Sequence, residues 1–174
     1  SLHTEATWIL MEELERAGVT GYVGKVNMDR NALPGILQET TEESVSETLR
    51  WLDGCHFEHV RPIITPRFTP SCSNELMAAL GEIARDRGLY VQSHLSENRG
   101  EIAWVKELHP DCAQYWETYD KYGLWKDHTV MAPTPGSAPP SAGPGWWWPT
   151  APGPTSTCAA ACPRCGRCCS RASG

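Results

Sequence analysis

The chain of 174 residues predicts an α/β fold: a partial (β/α)8 barrel of the TIM type, with about four βα units, followed by a disordered tail. Three observations predict it. Short apolar runs beginning near residues 21, 61, 89 and 129 alternate with stretches of helical periodicity. Polar side chains gather just after the first three runs, where a parallel barrel places its chemistry. The composition breaks abruptly near Ala132.

Each element has a local cause. Residues 5–17 carry Trp8, Ile9, Leu10, Met11 and Leu14 and stop at Gly18, a helix with a glycine end. Residues 21–28, Gly-Tyr-Val-Gly-Lys-Val-Asn-Met, read as a strand. Thr40 and Glu43 form a capping box that opens a helix reaching about Leu52. Its Glu-rich start, residues 39–47, reads as a solvated face. Residues 61–65 form a short strand that ends at Pro66. Ser73 starts a long helix with Leu76, Met77, Leu80, Ile83 and Ala84 on one side, ending at Gly88. Residues 89–93 are again a strand, 99–108 a helix, and 129–132 the start of a further strand.

Two unlike parts follow from composition. Residues 133–174 hold 9 of the 14 prolines, 5 of the 8 cysteines and three arginines, with no Asp, Glu or Lys. Residues 1–132 then form the partial barrel, and 133–174 a low-complexity tail that cannot bury a core. The net charge of −6 argues against a general nucleic-acid binder, which shows a basic face. No apolar run approaches the roughly 20 residues of a membrane span, and no secretory signal opens the chain. Cys55, Cys72 and Cys112 are scattered, which suits a cytoplasmic protein rather than a disulfide framework. The opening at Ser1, straight into patterned sequence, leads us to expect that an N-terminal part is missing.

The strand-end polar groups are the candidate site. Asn27, Asp29, Arg30 and Asn31 follow the first strand, Arg67 the second, and His94, Ser96, Glu97 and Asn98 the third. A neutral imidazole is a good zinc ligand, and a carboxylate three residues on can move protons between water and a leaving group. The pattern alone also admits a satisfied core histidine with Glu97 as the first-turn acid of the next helix. Arg67 equally reads as a solvated strand-end charge, and Phe68 as a core aromatic.

Three stretches, in order, carry a resemblance: Gly24-Lys25-Val26-Asn27-Met28-Asp29, Thr65-Pro66-Arg67-Phe68, and Gln92-Ser93-His94-Leu95-Ser96-Glu97-Asn98. They resemble the guanine deaminases of the amidohydrolase superfamily, over about residues 1–132. Thr129-Val130-Met131-Ala132 looks like the strand that precedes another metal histidine in that family. The resemblance implies a barrel enzyme that converts guanine to xanthine and ammonia with one zinc ion, as part of purine catabolism. It makes His94 a zinc ligand close to the substrate and Glu97 the proton shuttle. It makes Arg67 and Phe68 the residues that hold the purine, the guanidinium donating to ring and carbonyl acceptors and the phenyl ring packing on the base face. It also implies a homodimer, a small-molecule substrate, and neither nucleic acid nor membrane as partner.

The departures from that pattern matter as much. The family's His-x-His metal pair falls before Ser1, Pro133 stands where a histidine is expected, and the last metal aspartate falls beyond Gly174. His94 alone cannot hold a catalytic zinc, which needs about three protein ligands. The chain as written is therefore expected to be inactive.

The tail reads as a frameshift product. Tryptophan has a single codon, so Trp146-Trp147-Trp148-Pro149 read in a neighbouring frame gives Val-Val-Ala, as on a later family strand. The Cys-x-x-Cys spacings at Cys162, Cys165 and Cys168 otherwise suggest a metal knuckle. His56-Phe57-Glu58 matches half of a cytidine-deaminase signature, but the other half is missing. Two further alternatives remain open: a related amidohydrolase acting on another aminated heterocycle, such as a triazine or pterin, and a non-enzymatic truncated product.

Overall fold

The computed structural model describes residues 1–133. Pro133, placed in the tail by composition, is the last described residue and ends a strand; the rest of the tail, with its expected disorder, expected frameshift and cysteine spacings, lies outside the described residues. The element order is helix α1 (Thr4–Arg16), strands β1 (Gly21–Val23) and β2 (Val26–Asn27), helix α2 (Thr41–Asp53), strand β3 (Val60–Pro66), a 3₁₀ turn (Thr69–Ser71), helix α3 (Asn74–Asp86), strand β4 (Tyr90–Leu95), helices α4 (Arg99–Leu108) and α5 (Glu117–Asp120), and strand β5 (Thr129–Pro133).

All strand pairs are parallel, in the order β1-β3-β4-β5, with β2 also beside β3. β1 and β2 keep one register on β3, Gly21 facing Val60 and Asn27 facing Pro66. The strand expected over residues 21–28 is thus one path in two short pieces. Parallel neighbours that follow chain order, joined through α2 and α3, are an arc of a βα barrel. Of the expected strands, β4 runs longest past its sequence limit. It extends through Leu95 because β5 stays paired to it as far as Leu95 facing Pro133.

One face of this sheet carries the core. Val23, Val60, Ile64, Val91, Leu95 and Met131 pack there against Trp51, Leu76, Leu80, Val105, Tyr119 and Leu124. Burial of each such side chain contributes about 1.5–3 kcal/mol. α1 presents Met11 to this layer, while Ile9 and Leu10, counted as its apolar face by sequence, point outward. α2 begins with both halves of its capping box, and its small Ser44 and Thr48 lie inward. There they meet Asn27, whose Nδ2 donates to Thr48 Oγ1 at 2.7 Å and Ser44 Oγ at 2.9 Å.

The opposite face is the concave side of the arc. Alternation along β4 puts Tyr90, Gln92 and His94 on it. The Tyr90 ring stacks on Tyr22 at 5.0 Å and on His128 at 4.5 Å, and Gln92 Nε2 donates to Thr65 Oγ1 at 3.1 Å. Gly24 belongs to the same row. A Cβ there would lie 1.9 Å from Thr65 Oγ1, so the close approach of β3 requires glycine.

Two surprises lie among charged residues. Glu39, at the edge of the supposed solvated face, bonds at 2.7 Å to Lys25, whose side chain is wholly buried. Glu15 accepts from the backbone N–H groups of Glu58, His59 and Val60, anchoring the start of β3.

Candidate active site

His94 sits one residue before the end of β4, with its ring on the concave face. Its Nδ1 lies 2.7 Å from the Arg67 carbonyl oxygen. A carbonyl only accepts, so Nδ1 carries the proton and Nε2 offers a bare lone pair. Glu97 Oε1 lies 3.9 Å from Nε2, too far for a hydrogen bond. The two side chains are about half exposed (47% and 55%), so the space beside them is open to a ligand.

The turn between them is unusual. Ser96, buried, has φ of 58°, left-handed backbone that costs a non-glycine residue about 1–2 kcal/mol. It ends the strand abruptly and swings Glu97 back beside His94. Asn98 then caps α4, its Oδ1 accepting from Glu101 N at 2.9 Å.

Arg67 follows β3 directly, and its N–H donates to the Asn27 carbonyl at 3.0 Å. Its guanidinium lies 5.3 Å over the Phe68 ring, and Nη1 is 3.8 Å from Met28 Sδ. Phe68 meets Trp104 of α4 edge-on, with centroids 6.3 Å apart. Arg67 and Phe68, from one strand end, and His94 and Glu97, from another, are thus linked through the His94–Arg67 carbonyl contact.

The polar cluster after the first strand does not join them. Asp29 accepts from Ser73 N at 2.6 Å and from Thr41 Oγ1 at 2.7 Å, tying α2 to the cap of α3. Arg30 donates to the Thr69 carbonyl at 3.0 Å and Asn31 to that of Pro70 at 2.7 Å. These residues hold loops together. His56 and His59 are exposed before β3, as the sequence suggests.

Sequence reasoning missed the support behind the site. Ser93 Oγ donates to the Pro66 carbonyl at 2.7 Å, and the buried Tyr119 hydroxyl donates to the His94 carbonyl at 2.7 Å. The only sequence signal was Tyr115 and Tyr119, four apart and stacked at 6.1 Å.

His94 Nε2 has the chemistry of a zinc ligand. Among the described residues, however, no group of three His, Cys, Asp or Glu side chains gathers to hold a metal. The residues present fit one ligand position, not a complete centre.

Comparison with known proteins shows which relatives share this fold and sequence. The chain is 47% identical to guanine deaminase of Mus musculus over 135 residues, covering 76% of this chain and 30% of that protein. It is 44% identical to the Homo sapiens guanine deaminase, with the same coverage. A crystal structure of guanine deaminase from C. acetobutylicum, with guanine bound in its active site, matches with a TM-score of 0.71 and 47% identity, over 76% of this chain and 32% of that one. An atrazine chlorohydrolase from Arthrobacter aurescens, complexed with zinc, shares the fold at a TM-score of 0.62 and 19% identity, over 70% of this chain and 28% of that one. The chain thus spans about 30% of the length of the curated relatives it matches. The family model described as the amidohydrolase family matches residues 3–134, the whole barrel arc, and this chain belongs to that family.

Proposed function

We propose that this chain is part of a zinc-dependent enzyme that hydrolyses guanine to xanthine and ammonia in cytoplasmic purine catabolism. The observation that carries the reading is the bare Nε2 of His94 facing the Glu97 carboxylate at 3.9 Å, beside the Arg67–Phe68 pair. The guanine deaminases similar to it supply the substrate. The three free thiols of the described residues suit a reducing compartment.

Zinc, when bound, supplies Lewis-acid chemistry that makes water nucleophilic near neutral pH. His94 serves as one of its ligands through Nε2. Glu97 takes one proton from the attacking water and gives it to the guanine ring nitrogen, then carries the water's second proton to the departing amine, so that water and guanine balance xanthine and ammonia. Arg67 donates to the purine acceptors, and Phe68 lies against the base face. Residues 1–132 form the arc that holds these groups, and 133–174 are a separate segment read out of frame. Sequencing the coding DNA across the Ala132 and Pro133 codons tests that last point: an in-frame histidine after Ala132 supports it.

The functional test uses the protein extended to the length of its relatives. We expect guanine turnover, and Glu97→Gln lowers kcat by about 10²–10⁴-fold while zinc content stays unchanged. Full turnover in that variant removes the shuttle role from Glu97. No guanine turnover in the unmutated protein removes guanine as the substrate.

A further inference from the structure

We propose that Tyr119 is a positioning residue for His94, acting through its hydroxyl group. Tyr119 comes from the short helix α5, outside every stretch that suggested the site. It is fully buried, and its oxygen joins two strand ends. It donates to the His94 carbonyl at 2.7 Å and accepts from the Thr69 N–H at 3.2 Å. It also lies 3.0 Å from Ser93 Oγ, which reaches the carbonyls of Pro66 at 2.7 Å and Arg67 at 3.2 Å.

The consequence is geometric. The ring of His94 is oriented by the Arg67 carbonyl, which belongs to the segment that Tyr119 holds at Thr69. β3 and β4 pair through Ile63–Tyr90 and Ile64–Val91, well before their ends. Beyond that pairing, the Tyr119 and Ser93 hydroxyls bridge the two strand ends where His94 and Arg67 meet. One buried oxygen therefore keeps the Nδ1 proton on the Arg67 side and the Nε2 lone pair on the Glu97 side. A ligand whose outer nitrogen is fixed by a carbonyl keeps its tautomer and ring plane. The inference rests on the proposed role of His94, but its test needs neither metal nor turnover.

The experiment is nitrogen-15 NMR of histidine side chains in the full 174-residue chain, with chelator present and His94 assigned through a His94→Gln variant. The unmutated chain is expected to show His94 predominantly protonated at Nδ1. Tyr119→Phe keeps the ring and removes only the hydroxyl. It is expected to raise the Nε2-protonated population severalfold, whereas Tyr115→Phe, with no bond to His94, leaves it unchanged. If Tyr119→Phe does not fold, Ser93→Ala replaces it, with the same shift expected. An unchanged His94 tautomer in the folded variant overturns the proposal and leaves Tyr119 a packing residue. So does an unmutated chain without the Nδ1 preference. Failure of guanine turnover in the extended protein leaves this result standing, so the two readings fail separately.

Discussion

The His94 imidazole and the Arg67 carbonyl meet at 2.7 Å across the ends of β4 and β3. The bond couples the two strand-end motifs: the backbone that orients the imidazole carries the guanidinium one side chain away. A shift of Arg67 therefore moves both its guanidinium and the orientation of His94, and substitutions there must be read on both.

Arg67→Ala removes the guanidinium but keeps the carbonyl. In the extended protein it should raise KM for guanine about 10- to 100-fold, from about 1.5–3 kcal/mol for a hydrogen bond to a charged group. Steady-state kinetics over a guanine series check this. A KM within twofold of the unmutated value takes Arg67 out of substrate binding.

Glu39→Gln should destabilise the chain by about 3 kcal/mol, the lower end for breaking a buried pair, because Glu39 keeps some solvent contact while Lys25 keeps none. The double change Lys25→Met with Glu39→Gln should recover most of the loss, since it leaves no lone buried charge. Denaturant midpoints for the three proteins provide the measurement; no recovery in the double variant contradicts the ion-pair account.

The left-handed turn at Ser96 predicts opposite outcomes for two substitutions. Ser96→Gly should be tolerated, with stability within about 1 kcal/mol of the unmutated chain. Ser96→Val places a branched side chain at φ of 58° and should cost more than about 1 kcal/mol. Thermal melts distinguish them, and equal stabilities would mean the turn relaxes.

His109 gives a pH dependence. Burial, then the neighbouring Lys121 and Arg30, hold its pKa below the ordinary value; Asp111 opposes this weakly. Nε2 lies 3.3 Å from Arg30 Nη2, and Nδ1 lies 3.4 Å from Lys121 Nζ. The unfolded chain takes up a proton at this residue more readily than the folded one. Its stabilising contribution is therefore present above the unfolded pKa of about 6.5 and lost as the pH falls below it. Denaturation midpoints between pH 7.5 and 5.5, a range chosen around that value, should fall less steeply in His109→Asn. Parallel slopes would assign the dependence to other groups.

Much of this was legible along the chain. The capping box at Thr40–Glu43, the Ser73 cap of α3 and the span of α4 depend on neighbours within about four residues, and periodicity exposes them. His94 and Glu97 stood out as polar groups at a strand end, while Arg67 and Phe68 were singled out by the family resemblance. The short helix α5 was not, since four residues cannot show a period. The polar residues after the first strand looked the same as the others in sequence; only packing turned Asp29 toward Ser73 and Thr41.

The amino-acid pattern alone was enough for the βα alternation and for the family, through the motifs at the strand ends. Those properties arise from local patterns and short motifs. The burial of Lys25 against Glu39, the approach of Thr65 to Gly24 and the reach of Tyr119 to His94 came from packing. Distance along the chain separates the two kinds of feature. Thr69 and Tyr119 are 50 residues apart, and nothing local to either specifies the bond. It exists because the parallel arc brings β3 and β4 side by side and leaves one buried hydroxyl to satisfy groups from both.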